Sequence, residues 1–231
     1  MKARPSLLFA AIVSYLLSSC GGGGGGDGGP SGPVASTLPF PIAAAVSAYE
    51  QTSHSFTLNG TDNTSSNTYT FTYSFTPGAA TTFEGSAAQT ASTSTVLKRN
   101  AVTIATGSGT DYYQVNPFKF LGDVLATGEY TVASSQTAFP TNGMVGQTGA
   151  AWSETEYANS SKATVQSTTT VTWSLEADTA MTAWFCINFS TVFADMSPNQ
   201  TESDCYKLDG SGIVLGYKLT VSQSGTVLTF H

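Results

Sequence analysis

Residues 69–76 read Tyr69-Thr70-Phe71-Thr72-Tyr73-Ser74-Phe75-Thr76, an unbroken alternation of aromatic and hydroxyl side chains. Successive side chains of a β-strand point to opposite faces of the sheet. This period of two therefore predicts a half-buried strand with an aromatic inner face and a hydroxyl outer face. The rest of the chain beyond residue 54 shows the same pattern in weaker form.

Further alternating or β-branched runs lie on both sides of this segment, and turn signals such as Asn59-Gly60, Pro77-Gly78 and Ser224-Gly225 separate several of them. They predict strands at 54–58, 81–85, 93–98, 101–106, 111–115, 129–134, 150–157, 166–176, 180–190, 213–221 and 227–230. The last two should form a hairpin whose edge is tied into the sheet. Many short strands of this kind predict an all-β antiparallel domain, either a β-sandwich or a strongly curved partial barrel.

One short helix is expected at the N-terminal edge of this domain. Ile42, Val46 and Tyr49 are spaced at i, i+4 and i+7 within residues 42–51, which is typical of an amphipathic helix that packs one stripe on a core.

Two segments of the chain resemble each other. Residues 70–75 and 170–175 match in polarity and in the placement of their rings, and a looser similarity relates 124–132 to 214–221. Either the domain consists of two duplicated halves, or any two half-buried strands of a threonine-rich chain look alike. The sequence leaves both alternatives open.

The composition excludes one class of partner and limits the size of the fold. The chain has 231 residues, with 8 Lys and Arg, 15 Asp and Glu and a formal net charge of −7. Because nucleic-acid binding needs clustered cations to neutralise phosphates, no nucleic-acid partner is expected. The length suits one domain of ordinary size, or one domain with a processed leader. No run of eighteen apolar residues follows the leader, so no membrane-spanning helix is expected there.

The first twenty residues have the layout of a secretory signal peptide. Lys2 and Arg4 precede an apolar run over 7–17, which ends in Leu17-Ser18-Ser19-Cys20. This ending resembles the lipobox of bacterial lipoproteins, and the resemblance covers the leader only. It implies that residues 1–19 are removed and that the thiol of Cys20 receives a diacylglyceryl group. The alternative is an ordinary signal peptide with an unrelated cysteine near its end.

The lipobox resemblance also implies a location and a partner. Two or more acyl chains hold a protein stably on a bilayer, so the expected partner is the membrane, through the lipid on Cys20. Gly21, and not Asp, follows the cysteine. By resemblance to enterobacterial sorting, this implies the bacterial outer membrane, on either its periplasmic or its surface face.

A flexible tether should follow the lipidated cysteine. Residues 21–29 are glycine except for Asp27, and prolines punctuate the segment up to Pro41. We therefore predict a tether over 20–41, with a reach of about 25 Å, and a single β-rich domain over 42–231. Without residues 1–19 the chain keeps six Lys and Arg against fifteen Asp and Glu, a formal net charge of −9. So acidic a domain is not expected to bind anionic lipids by itself.

The two remaining cysteines are an even pair. In an oxidising compartment, Cys186 and Cys205 predict a structural disulfide. The segment between them carries Asp195, Glu202 and Asp204 and is predicted to be a long acidic loop. No histidine lies nearby, so a metal site is not expected there.

No catalytic constellation, cofactor motif or metal site stands out, and only weak candidates remain. His54 is in register with Phe56 and Leu58, so it is either a core histidine or a catalytic base. Glu154 and Glu156 share one face of a predicted strand at about 6.5–7 Å, a separation at which paired carboxylates hydrolyse glycosidic bonds. The alternative for these two glutamates is a solvated surface.

Asp209 is the last candidate. Asp204 and the run Asp209-Gly210-Ser211-Gly212 lie close in sequence, so Asp209 is either part of an oxygen-rich acidic loop that holds calcium or the start of a hairpin turn. The turn is favoured because the spacing of an EF-hand is absent.

Three hypotheses for the function follow from these features. The leading one is a lipid-anchored envelope lipoprotein whose β domain is a non-catalytic binding or structural module. The second is a periplasmic carrier of lipid or of another apolar ligand. The third is a hydrolase that acts on glycans through Glu154 and Glu156.

Overall fold

The computed structural model describes residues 32–231. The predicted signal peptide over 1–19, the lipidation of Cys20 and the glycine run over 21–29 lie outside these residues. The described chain begins with a helix, α1 (Ile42–Tyr49), and continues in twelve strands. The strands are β1 (His54–Asp62), β2 (Thr68–Phe83), β3 (Ser86–Arg99), β4 (Val102–Val115), β5 (Phe118–Leu125), β6 (Tyr130–Ser134), β7 (Thr148–Tyr157), β8 (Val165–Ala177), β9 (Thr182–Phe193), β10 (Gln200–Asp209), β11 (Val214–Gln223) and β12 (Thr226–Phe230).

The twelve strands form one closed barrel. Each strand pairs antiparallel with its neighbours in the chain, and β12 returns to pair with β1. The predicted all-β antiparallel class and the helix are therefore confirmed. The predicted β-sandwich is wrong. The barrel is closed and not partial, because the pairing of Gly60 with Phe230 and of Asp62 with Leu228 joins the two ends of the sheet.

The two faces of the barrel differ in chemistry as the sequence pattern predicts. In β2, Tyr69, Phe71, Tyr73 and Phe75 are buried inside the barrel, and the hydroxyl residues between them face outwards. Strand β8 repeats this alternation, with Val171, Trp173 and Leu175 buried and Thr172 between them exposed. The outer face is therefore rich in hydroxyl groups, and the apolar core lies within the barrel.

Helix α1 packs across one end of the barrel, which we call the helix end. The Ser47 hydroxyl donates a hydrogen bond to the carbonyl of Val115, at the end of β4. The buried stripe of α1 consists of Ile42, Ala45 and Val46. Turns that lead out of even-numbered strands lie at this end, so the opposite rim, the far end, carries the turns out of odd-numbered strands.

The folded part begins earlier than the predicted boundary at residue 42. The backbone N–H of Val34 donates to the carbonyl of Asp178, and the Ser36 hydroxyl donates to the carbonyl of Ala180. Phe40 is fully buried. Residues 34–41 therefore belong to the domain, because they bury side chains and hydrogen bonds against it.

Two predicted turns are strand residues. Asn59-Gly60 lies within β1, where glycine is required because a Cβ on Gly60 would come within 2.4 Å of the Phe230 ring. Pro77-Gly78 lies within the 16-residue β2, at a register shift between Pro77 and Ala80. A bulge accommodates a proline because the chain leaves the regular hydrogen-bond ladder there. The turn at Ser224-Gly225 and the final hairpin are confirmed.

The two sequence similarities have different outcomes. The stronger one relates β2 to β8, which lie six strands apart in a barrel of twelve, and duplication into two halves remains a prediction. The looser one compares β5 and β6 with β11 alone, so it is not a repeat of structure.

The predicted disulfide is present. Cys186 and Cys205 are direct cross-strand partners on β9 and β10, and they form a bond across a sequence separation of 19 residues. The predicted acidic loop between them is wrong, because Glu202 and Asp204 lie in β10 and point into the barrel. Only residues 194–199 connect the two strands.

Among residues 32–231, no helix is long and apolar enough to cross a membrane.

The close contact between Gly60 of β1 and Phe230 of β12 can be tested by mutation. Replacing Gly60 with alanine forces the new methyl group against the Phe230 ring and the carbonyl of Thr229. We expect a loss of about 1–3 kcal/mol in the free energy of unfolding, measured by chemical denaturation. Gly216→Ala in β11 is the matched control, since its Cβ would meet only the Lys207 side chain at 3.9 Å. If the two variants were equally stable, there would be no close contact between Gly60 and the Phe230 ring.

Candidate functional site

The interior of the barrel is the candidate site, because it brings together most of the chemistry-bearing side chains of the described chain. Its wall changes character along the barrel axis. Aromatic rings gather at the helix end, and carboxylates are buried further in on two parts of the wall.

Five rings at the helix end form what we call the aromatic mouth: Tyr49, His54, Phe56, Tyr206 and Tyr217. Tyr49 contacts the His54 ring at 3.8 Å between centroids and the Tyr206 ring at 5.2 Å. Tyr217 lies 5.0 Å from Tyr206 and 4.2 Å from Phe56. Tyr49, His54 and Phe56 are half-buried, whereas Tyr206 and Tyr217 are buried. The mouth therefore leads from the surface into the core.

A gap in the strand pairing lies beside the aromatic mouth. β12 stops at Phe230, and His231 exchanges two backbone hydrogen bonds with Asn59, at 3.1 and 3.0 Å. Beyond this point no strand of the described chain (residues 32–231) lies between residues 54–58 of β1 and residues 214–218 of β11. The ring contact between Phe56 and Tyr217 spans this gap. Side chains, and not backbone hydrogen bonds, therefore close the wall at the mouth.

The inner face of β10 continues from the mouth into the barrel. Moving inwards from Tyr206, the alternating positions are Asp204, Glu202 and Gln200, all at most 3% exposed. We call these three residues the acceptor track, because their side chains offer carboxylate or amide oxygens. Neighbouring members are about 6.5–7 Å apart along the strand.

A second group of buried carboxylates lies on another part of the wall. Asp111 of β4 and Asp123 of β5 are direct cross-strand partners, and Glu156 of β7 lies two strands further on, beyond Thr131 of β6. Glu154 lies two residues before Glu156 on the same face. All four carboxylates are buried, and we call them the acidic wall.

The glutamate pair is inside the barrel and not on a solvated surface. The indole N–H of Trp152 donates a 2.7 Å hydrogen bond to Glu154, and the Ser167 hydroxyl donates a long one of 3.4 Å to Glu156. The expected surface location was wrong because β7 turns this face towards the core. A polymeric glycan would have to enter the closed barrel to reach these side chains.

The cations of the described chain lie mostly on the outer face. Lys162, Lys207 and Lys218 form ion pairs with Glu84, Asp178 and Glu176. Lys98 and Lys119 occupy outward positions, and Arg99 points inwards at the far end, in register with Tyr69. The interior near the mouth is therefore strongly acidic.

Burial and the acidic surroundings raise the pKa values of the tyrosines in the interior. Burial, followed by the negative charge of Asp111, raises the pKa of Tyr73 far above its ordinary value. Burial, followed by the charge of Asp204, does the same to the pKa of Tyr217. Burial and Asp111 also raise the pKa of Tyr113 to about 12. These hydroxyls therefore stay protonated, and the rings stay neutral, at any physiological pH.

His54 is held as a neutral ring in the mouth. Burial lowers the pKa of His54 to about 4, although its Nδ1–H donates a 3.1 Å hydrogen bond to the carbonyl of Thr52. The ring stacks on Phe75 at 4.8 Å and contacts Tyr49. Its contacts are thus those of a core aromatic residue, and no serine is among its ring partners in the described chain.

Asp209 starts a turn, as favoured. Its carboxylate accepts hydrogen bonds from the Ser211 hydroxyl and from the backbone N–H groups of Ser211 and Ile213. The hydrogen bond from the Ser211 hydroxyl, followed by the backbone ones, lowers the pKa of Asp209. All three hydrogen bonds go to the same carboxylate oxygen, Oδ1, which holds the turn together.

Two features of the outer face carry less chemistry. The sulfurs of Cys186 and Cys205 lie close to the Glu176 carboxylate, but they are bonded to each other and so cannot serve as thiolate ligands. A shallow groove of about 300 Å³ runs across β8 to β11 and is lined mainly by hydroxyl residues such as Thr170, Ser190 and Ser203.

Sequence reasoning missed most of the interior carboxylates. Asp111, Asp123 and Glu202 were not recognised as site residues, Asp204 was considered only for a calcium loop, and β5 and β10 were not predicted as strands. A usable signal was present in β10, where Gln200, Glu202, Asp204, Tyr206 and Leu208 share one register. Acids in register with buried rings indicate a polar patch on an inner face.

The chain matches no protein-family model, no curated protein and no solved structure.

The neutral His54 makes the stability depend on pH. Its pKa is about 6.5 in an unfolded chain and about 4 in the fold, so unfolding takes up a proton between these values. Stability should therefore fall as the pH drops from 6.5 to 4. We expect His54→Phe, which keeps a ring, to show a smaller drop in melting temperature between pH 7 and pH 4.5 than the wild type. His231→Gln should behave as the wild type. An unchanged pH dependence in His54→Phe would refute this role.

Proposed function

We propose that this chain is a lipid-anchored envelope protein whose barrel binds a small organic ligand without catalysing a reaction. The observation that supports this most is the graded interior. Half-buried rings at the mouth lead to the buried Tyr206 and then to the acceptor track. A purely structural barrel gains nothing from buried carboxylates, because each charge loses its hydration and must recover that free energy from its surroundings.

The size of the barrel supports the same proposal. Eight strands enclose a space that side chains can fill or that holds one small ligand, and sixteen or more leave a channel. Twelve strands lie between these limits. Ligand sites are commonly concave, mostly apolar and supplied with a few well-placed polar groups. The interior has this composition, since about thirty buried apolar residues surround a few carboxylates and amides.

The tether joins the barrel at the end that carries the aromatic mouth. Val34 and Ser36 hydrogen-bond to residues 178 and 180, in the turn that follows β8 at the helix end. The chain from Cys20 therefore joins the barrel at the same end as the aromatic mouth. In the anchored protein the ligand would enter from the side to which the lipid is attached. The outer face, rich in hydroxyl groups, suits a barrel that stands in water.

Ligand binding can be tested by native mass spectrometry of the full chain, purified from its own envelope and released from detergent micelles. We expect an additional small-molecule mass on the wild type. Phe56→Ala and Tyr49→Ala should reduce its occupancy, because both rings line the mouth. Tyr157→Ala is the matched control, since Tyr157 is also half-buried but faces outwards. A wild type that carries no additional mass, or equal occupancy in all four proteins, would contradict the proposal.

The anchor is tested separately by cell fractionation. Cys20→Ala removes the only thiol in the lipobox and should move the protein out of the membrane pellet into the soluble fraction. Ser18→Ala keeps a small residue in the lipobox and should leave the protein in the pellet. Retention of Cys20→Ala in the pellet would exclude the lipid as the anchor.

A further inference from the structure

We propose that the ligand of the barrel is a linear polyamine, held with its ammonium groups along the acceptor track and its methylene chain against the aromatic mouth. This inference rests on the proposed binding function and adds the chemical class of the ligand.

The charge of the barrel interior is negative. Asp204 and Glu202 on β10 and the acidic wall on β4, β5 and β7 give the interior buried carboxylates on two parts of its circumference. In the described chain, five of the six cations lie on the outer face or in an outer loop, and Arg99 lies at the far end. Attraction between opposite charges is strong where water is excluded, so this interior selects cations over neutral or anionic molecules.

Gln200 supplies a hydrogen-bond acceptor that the described residues do not use. The Oε1 atom of Gln200 is buried in the interior and accepts no hydrogen bond from the described residues, and the residue is only 2% exposed. A buried acceptor left in this state costs free energy, which a donor on a ligand would restore. The donor must carry an N–H or O–H group, so ammonium groups fit and quaternary ammonium groups do not.

The side chains of the acceptor track are arranged in a line. Asp204, Glu202 and Gln200 occupy successive inward positions of β10, about 6.5–7 Å apart. A molecule with several amino groups spaced along a flexible chain can pair with such a row, whereas a compact cation can pair with only one or two members. The row is straight because it follows a single strand, which favours a linear ligand.

The aromatic mouth lies at the outer end of the acceptor track. The Tyr206 and Tyr217 rings lie 5.0 Å apart at the outer end of the track, and Tyr49 contacts Tyr206 at 5.2 Å. Ring faces attract ammonium groups through their quadrupole and pack well against methylene groups. The raised pKa values of Tyr49 and Tyr217, caused by burial and then by the charge of Asp204, agree with the closeness of rings and carboxylate.

The test is equilibrium dialysis of the full chain in detergent with radiolabelled spermidine. The wild type should bind about one molecule per chain. Asp204→Asn and Glu202→Gln keep the shape of each side chain and should each weaken binding about tenfold or more, because each removes a charge-assisted hydrogen bond. Gln200→Leu should weaken binding several-fold. Glu176→Gln, which removes a carboxylate from the outer face of β8, is the matched control and should bind as the wild type.

The outcomes separate the ligand class from the binding function. Unchanged melting temperatures would show that the variants are folded before their affinities are compared. No spermidine binding, or equal binding by all variants, would overturn the polyamine assignment. If the native mass spectrum then still shows a ligand that depends on Phe56 and Tyr49, the binding function stands and the ligand is of another class. If neither ligand is found, both proposals fail together.

Discussion

Closure of the sheet is the constraint on which the rest of this structure depends. A β-sheet of twelve strands exposes two unpaired edges unless the last strand meets the first, and here β12 meets β1 over only a few residues. The pairing is possible because Gly60 leaves room for the Phe230 ring. Once the sheet is closed, every second side chain is confined to the interior, whatever its chemistry.

The shortness of β12 also determines where the interior is accessible. Because the strand stops at Phe230, the wall between β1 and β11 is completed at the helix end by the rings of Phe56 and Tyr217. Contacts between side chains open at a lower cost than a ladder of backbone hydrogen bonds. The same short strand that closes the barrel therefore leaves a part of the wall beside the aromatic mouth that is completed by ring contacts.

The sequence predicts the class of this fold well, and its failures fall in a few places. Strict alternation identified β2 and β8, and the spacing of Ile42 and Val46 identified α1. β5 and β10 were missed because their inward positions carry Asp123, Glu202 and Asp204, which break the apolar pattern. Closure itself has no local signal, since it depends on the contact between residues 60 and 230. The mouth was equally invisible, because α1, β1, β10 and β11 each contribute to it.

The disulfide cross-links a strand that carries two buried acids on its inner face. β10 carries Asp204 and Glu202 on its inner face, and buried charges lose solvation that the pairing with β9 must offset. Cys205 lies between Asp204 and Tyr206 in the sequence and is bonded on the outer face to its direct partner Cys186. Such a cross-link stabilises by roughly 3 kcal/mol, since it restricts the unfolded chain. A barrel whose only task was structural could replace the two acids with apolar residues and would need the bridge less. The bridge therefore offsets part of the stability that the two buried acids cost β10, and the bridge and the acids lie on opposite faces of the same strand.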